Sequence, residues 1–200
     1  MITTMQLHLI MPRCPEINLA SYAGYLGAAL ISGNAITVTR ASAFIAHLAH
    51  ESGELRWWEE IAEGNAYEGR EDLGNTESGD GPRYKGHGPI QITGRANHKA
   101  CGDALGLDLL ADPQLLCTPE VGFRGAMWFW NVGAGLRLSR AAQKRVPVGS
   151  DLNVIADIPD FVATTLAVNG GTNGLDQRLA YYHRALEVLG IVALWGTRLG

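Results

Sequence analysis

Along most of the chain, apolar residues recur every three or four positions, and in one central stretch they do not. Helical spacing runs from about Leu19 to Ser32, with Asn18 as the expected N-cap and Gly33-Asn34 as the stop. A second helix is predicted from a Thr39 cap through about Glu51, with Phe44, Ile45, Leu48 and Ala49 on one face. Between Gly64 and Gly88 the pattern dissolves into glycines and polar residues, and a loop of that length inside a compact fold is usually functional. Ile90-Gln91-Ile92-Thr93 reads as a short strand, one arm of a small hairpin. The helical period returns over about Arg95–Leu105 and again over Pro119–Trp130, where Thr118 suits the cap and Pro119 the first turn. Further helices are expected at about Asp151–Ile155, Phe161–Val168 and Asp176–Leu189, and Trp195–Gly200 reads as a ragged end. No repeat or linker interrupts this order. The fold expected is mainly α with a minor β part, one domain over residues 1–200 with its core at about 16–192.

Composition narrows the classes of function. Two hundred residues with 46% hydrophobic content suffice for one well-buried core. A net charge of −4 argues against a nucleic-acid partner, which would want a basic face, and leaves no polybasic patch for an anionic membrane. The one dense basic run, Arg137–Arg145, reads as a solvated helix face. No window reaches the ~20 apolar residues of a membrane helix, so no membrane insertion is expected. The N-terminal residues, interrupted by Pro12 and Pro15, lack the apolar core of a signal peptide. Cys14, Cys101 and Cys117 are odd in number and widely spaced, which fits reduced thiols better than a disulfide framework.

The stretch AHLAHESGELRWWEE, residues 46–60, starts as a greasy helix and ends in acids and tryptophans. A metal site is one reading. His47, His50 and Glu51 stand at i, i+3 and i+4, but the zincin order HExxH is absent and no third ligand sits at a telling distance. No metal and no cofactor are expected, and His47 reads as a core or boundary histidine with a hydrogen-bond partner. A pair of carboxylates is the other reading, since glycoside hydrolysis takes one acid and one base or nucleophile. Glu51 and Glu60 are nine positions apart, which on one continuous helix would mean ~13.5 Å of rise and opposite faces. Ser52-Gly53 can break the helix and turn the chain back. Glu51 would then end a buried helix in apolar surroundings, while Glu60 would border an open, solvated loop. Geometry alone does not choose the second carboxylate among Glu54, Glu59, Glu60, Glu63 and Glu68.

Two more segments carry polar chemistry. In YKGHGPIQITGRAN, residues 84–97, Gly86 and Gly88 would let backbone approach a ligand, and Gln91, Thr93 and Asn97 offer neutral hydrogen-bonding groups suited to sugars. The plain alternative is a hairpin leading into a helix. In VNGGTNG, residues 168–174, Asn169 serves either a site or only a helix cap.

Taken together, AHLAHESGEL, the glutamate nine residues on, YKGHGPIQITGRANH and VNGG followed by an arginine resemble glycoside hydrolase family 19, the chitinases and related phage endolysins. The resemblance spans roughly residues 40–185. It implies a lysozyme-like, mostly helical, bilobal fold with a cleft, and inverting hydrolysis of β-1,4-linked N-acetylhexosamine chains. It further implies Glu51 as general acid, Glu60 as general base and Thr93 as the hydroxyl that positions the water. His50, Tyr84, Gln91, Asn97 and Asn169 match substrate-binding positions, and Arg178 a supporting basic residue near the cleft. The chain departs from the family at His87, where arginine is usual, and at Ala96, where many plant members carry an aromatic. The expectation is a monomeric, endolysin-type enzyme cutting peptidoglycan, held in the host cytoplasm until lysis. A chitinase is the alternative, and an inactive cell-wall sugar-binding module the second alternative.

Overall fold

In the computed structural model, which describes residues 2–133, 151–158 and 160–196, the frame is a pair of packed helices. The first, α3 (Val38–Glu51), has every residue from Ala41 to Ala49 buried, not one face alone. Alanines at 41, 43, 46 and 49 keep it slim enough for neighbours to close on all sides, so a helix apolar all round becomes the core. Its partner α9 (Leu175–Gly196) has 22 residues and packs along it, about 33 Å long at 1.5 Å per residue. In front stand α1 (Thr4–Ile10) and α2 (Leu19–Ser32). The short helix α4 (Asp80–Arg83) lies in the central loop, and α5 (Arg95–Leu105) and α6 (Pro119–Trp128) come after it. Later in the chain come α7 (Leu152–Ala156) and α8 (Phe161–Asn169). Phe44, Phe123, Trp130, Leu26 and Leu48 are fully buried among them.

Several boundaries differ from expectation, each for a local reason. Thr37, not Thr39, caps α3: its backbone is extended and its hydroxyl accepts the Arg40 N–H at 3.2 Å. Asn18 precedes α2 in a helical conformation, because a 3-10 turn at Glu16–Asn18 already winds the chain, and its amide donates to Tyr22 Oη at 3.2 Å instead of capping. Thr118 precedes α6 without a side-chain cap bond, its hydroxyl donating to the Leu115 carbonyl at 2.7 Å. The α-helix ends at Trp128 and continues as a π-helical turn over Phe129–Gly133. That turn buries Trp130, whose indole N–H donates to Asn153 Oδ1 at 3.0 Å. The apolar period does not predict α1; Thr3 and Gln6 cap it reciprocally, at 3.1 and 2.9 Å. Trp195 and Gly196 continue α9, while Arg137–Arg145 and residues 197–200 lie outside the described residues.

The expected strand at Ile90–Thr93 is a turn. Two isolated antiparallel bridges, Glu59 with His87 and His87 with Ile92, stand where the sequence predicts a hairpin. Gln91 takes a positive φ of 58° and its N–H returns to the Gly88 carbonyl at 3.1 Å, so the chain reverses too tightly for a strand.

The central loop is long but bonded throughout. Arg95 reaches back to the buried Asp80 with Nε at 3.0 and 2.9 Å from its two oxygens. Buried Asn75 accepts the Arg95 N–H at 2.8 Å and donates to the Tyr67 carbonyl at 2.9 Å. The Glu68 carboxylate accepts the N–H groups of Gly79 and Gly81 at 2.7 and 2.8 Å. These bonds replace the apolar packing that the segment lacks.

Candidate active site

Glu51 is the last residue of α3, and the chain reverses immediately after it. Ser52, fully buried, donates its hydroxyl to the Leu48 carbonyl at 2.6 Å and accepts the Leu55 N–H at 2.8 Å. Gly53, Glu54 and Leu55 then take three successive positive φ values of 57°, 68° and 61°. A glycine does this freely, but at Glu54 and Leu55 it costs on the order of 1 kcal/mol or more each. The strain is held by the Glu54 carboxylate, which accepts the Arg13 backbone N–H at 2.6 Å, Arg13 Nε at 2.9 Å and the Tyr181 hydroxyl at 2.7 Å. Burial pushes the Glu54 carboxyl up, but those three donors outweigh it and hold it below the usual range. Glu54 is therefore a structural staple.

Past the reversal, alternate residues point to different sides. Trp57 lies half exposed, whereas Trp58 packs inward on Tyr22 and Phe123 at ring-centroid distances of 5.1 and 5.3 Å. Glu59 pairs outward with Lys85 Nζ at 2.9 Å, which holds its carboxyl low. Glu60 turns into a cleft, where its carboxylate accepts the Tyr67 hydroxyl at 3.0 Å and the Gly86 N–H at 2.9 Å. Burial first, then the Glu60 charge, raises the Tyr67 phenol, so it stays a donor. Of the remaining acids, Glu63 bonds Asn65 at 3.2 Å and Glu68 is committed to the loop.

The cleft has a volume of about 920 Å³ and brings Glu51 and Glu60 together with Gln91, Thr93, Asn97 and Asn169. Thr93 donates its hydroxyl to the Gln91 carbonyl at 3.0 Å, and the Asn97 amide donates to the Thr93 carbonyl at 2.7 Å. Gln91 Nε2 donates to the Gly88 carbonyl at 2.9 Å. Gly86 clears the space for that side chain: a Cβ there would stand 2.5 Å from Gln91 Oε1. This glycine thus makes room for Gln91, and its N–H reaches Glu60 in the cleft.

Two expected contacts lie elsewhere. Tyr84 is buried with its ring against His98, and its hydroxyl donates to the Leu110 carbonyl at 3.2 Å. His50 lies off the cleft with its ring against Gly174, where any side chain would collide with the imidazole. Arg178 lies behind the cleft, fully buried, with its guanidinium paired to Glu51 Oε1. The end of α3 is thus charged where an apolar setting was expected for Glu51. His87, in the place of the usual arginine, is also buried and bonds His98 across 3.0 Å, Nδ1 to Nε2.

The sequence did not announce Tyr67, Arg70, Asp72 or Phe129, which also line the cleft. They stand in the aperiodic loop or at the π turn, where no spacing signals a shared face. His47 is buried with partners on both ring nitrogens, Thr164 and Arg178, and among the described residues no group of three or more histidines, cysteines and acids converges as a metal site.

Two carboxylates and a row of amide and hydroxyl groups in one open cleft, on a helical frame, define a glycoside hydrolase. The sequence profile of the family described as chitinase class I matches residues 13–195, and the chain belongs to that family, glycoside hydrolase family 19. Chitinase 8 of Oryza sativa subsp. japonica is 30% identical over 214 residues, covering 94% of this chain and 77% of that protein. An endochitinase of Arabidopsis thaliana is 36% identical over 157 residues, 75% of this chain but 48% of its own length, so the chain spans about half of that relative. In fold the chain is similar to the crystal structure of chitinase C from Streptomyces griseus HUT6037, with a TM-score of 0.72, 24% identity, and 94% and 92% of the two chains covered.

Proposed function

We propose that this chain hydrolyses β-1,4 bonds in polymers of N-acetylhexosamine, with chitin as the substrate, by a single displacement that inverts the anomeric carbon. The observation that carries this reading is that Glu51 and Glu60, sent in by the reversal at 52–55, line one cleft from differently built supports. Glu51 donates a proton to the leaving oxygen. Glu60 takes a proton from the attacking water, Tyr67 and the Gly86 N–H fixing its direction. Thr93 helps place that water, and Gln91, Asn97 and Asn169 bind sugar hydroxyl and acetamido groups. NMR of fresh product from chitin oligomers, read before mutarotation, tests the reaction. The α-anomer is expected first, since the bond is β and attack comes from the opposite face. An initial β-anomer would mean retention and would sink the base role of Glu60.

A second reading, an endolysin-type enzyme cutting the β-1,4 bonds of peptidoglycan, is favoured by the thiols. Cys14, Cys101 and Cys117 are all free, and burial pushes the first two up to about 11 and about 12, so they stay unreactive. Such a set suits a protein made and stored in a reducing cytoplasm before lysis. Mass spectrometry of products from purified peptidoglycan and from chitin oligomers decides between the two. Release of disaccharides from peptidoglycan but not from chitin would establish the second reading and refute the first.

A further inference from the structure

The guanidinium of Arg178 is completely buried, so its direction is set by what it can donate to. Its two terminal nitrogens go to different places: one to Glu51 Oε1, the other to His47 Nδ1 at 2.9 Å. Its Nε donates to the Asn173 carbonyl at 3.2 Å. A guanidinium has only donors, so His47 Nδ1 must be the bare, accepting nitrogen. The imidazole proton then sits on Nε2, which lies 3.1 Å from Thr164 Oγ1. Thr164 in turn donates its own hydroxyl proton to the Phe161 carbonyl at 2.8 Å. Every proton along this line has one place, and a second proton on His47 would set N–H against N–H.

The ring itself is clamped. It stacks on Phe161 at 5.1 Å and 11°, and Trp130 closes on it at 5.9 Å. Among the described residues, the charged or titratable groups acting on it are Arg178 from α9 and His50 from its own helix, with Glu51 on the far arm of Arg178; Thr164 and Phe161 from α8 and Trp130 from the π turn pack against it. Burial first, then the charges of Arg178 and His50, keep the imidazole well below its ordinary range.

We propose that His47 is a positioning residue for the hydrolysis: as a neutral Nδ1 acceptor it turns the buried Arg178 so that its other arm meets Glu51. The inference rests on Glu51 being the acid. A guanidinium released from one of its two side-chain partners would swing, and Glu51 would lose the fixed direction that proton donation needs. Misplacement by about 1 Å at such a site costs up to ~100-fold in rate.

The test uses His47→Leu, His47→Asn and His47→Gln, with Glu51→Gln as reference, on a chitin oligomer. Asn carries its carbonyl oxygen near the place of Nδ1, whereas Gln reaches toward the place of Nε2. His47→Leu is expected to lower kcat ~10–100-fold with KM within about threefold, since the sugar contacts lie elsewhere. His47→Asn should regain about tenfold over His47→Leu, and His47→Gln should not. Nitrogen-15 NMR of the wild-type histidines should show a neutral His47 ring with Nε2 protonated between pH 5 and 8. That spectrum is independent of activity, and with the Asn–Gln comparison it stands even where His47→Leu does not fold. A His47→Leu enzyme with wild-type kcat, an Asn variant no better than Gln, or a ring protonated on Nδ1 at pH 7 would each overturn the proposal. An active Glu51→Gln would instead remove Glu51 as the acid and leave the tautomer of His47 standing.

Discussion

Glu51 reaches the cleft on the last turn of a helix buried on all sides, whereas Glu60 arrives on a segment with no regular structure of its own. The first is backed by a side-chain relay from three helices: Arg178 on α9, His47 on α3 and Thr164 on α8. The second is fastened by one phenol and one backbone N–H from a glycine-rich loop. Both arrangements fix a carboxylate. They differ in what a mutation disturbs, because a relay passes a change from core to cleft, while a loop bond fails where it is cut. A helix end suits the proposed acid, which must hold its proton in one direction, and a bonded loop suits the proposed base, which must leave room for water across the sugar ring.

The largest expected effect is on Glu51, the proposed acid. Glu51→Gln keeps shape and the capacity to accept from Arg178 but cannot donate the acid proton. Hydrolysis should fall by ~10²–10⁴-fold with the fold retained but at a lower melting temperature, because the buried Arg178 loses its counter-charge, measured by product release and thermal unfolding. A variant within a few-fold of wild type would take Glu51 out of the mechanism. On the base side the comparison can be made within a dipeptide. Glu60→Ala should cost ~10²-fold or more, but Glu59→Ala only a few-fold, since Glu59 faces Lys85 on the other side. Equal losses would mean that direction does not separate the two acids.

What the sequence announced divides along the same line. The run through Phe44, Ile45, Leu48 and Ala49 carries a 3.6-residue period, so α3 and its terminal Glu51 were legible. Its start slipped by two residues because Thr37 and Thr39 are equally good caps on paper; only backbone angles tell them apart. Ile90-Gln91-Ile92 alternates like a strand, yet the positive φ at Gln91 makes it a turn, a tertiary choice invisible to local pattern. Gln91, Thr93, Asn97 and Asn169 were found because several polar groups recur together in two short segments. Tyr67 stands alone in an aperiodic loop, and Tyr84 looked equally polar while facing inward. Arg178 was placed near the cleft, but nothing local shows that it stands behind Glu51, 127 residues away in sequence.

Acid should loosen both sides, through buried neutral histidines. Under the base side, His87 and His98 form a buried pair whose protons are assigned by their partners. His98 Nδ1 donates to the Gly94 carbonyl at 2.9 Å, so its Nε2 accepts from His87. Burial, only partly opposed by that carbonyl, lowers His98 from the ordinary 6.5 to about 4. The unfolded chain therefore takes up a proton below pH 6.5 that the folded protein refuses until about 4. Stability from this group is complete above pH 6.5 and drains away as pH falls toward 4, roughly 3 kcal/mol in all. Melting temperature should drop between pH 7 and pH 5, and His98→Asn, which can still donate to Gly94, should flatten that slope. An unchanged slope in the variant would shift the acid sensitivity to its partner His87 or to His47 across the cleft, both also lowered by burial.

The smallest effect sharpens the comparison most, because it removes one oxygen from the loop and nothing else. Tyr67→Phe deletes the donor to Glu60 Oε1 and leaves the Gly86 N–H on Oε2. With one anchor kept, Glu60 should still face the cleft but rotate more freely about it. A partly exposed bond of this kind is worth about 1.4 kcal/mol, so kcat should fall about tenfold, KM should stay put, and the fold should not change. Thr93→Val, which removes the hydroxyl proposed to help place the water and leaves the carboxylate held, should give a loss of similar size by a different route. If each residue acts on the same water, the double variant should lose less than the product of the two single losses, since a water already misplaced cannot be misplaced again. Fully multiplicative losses would mean that Tyr67 and Thr93 act on separate steps, and that the loop holds Glu60 for some purpose other than aiming it at that water.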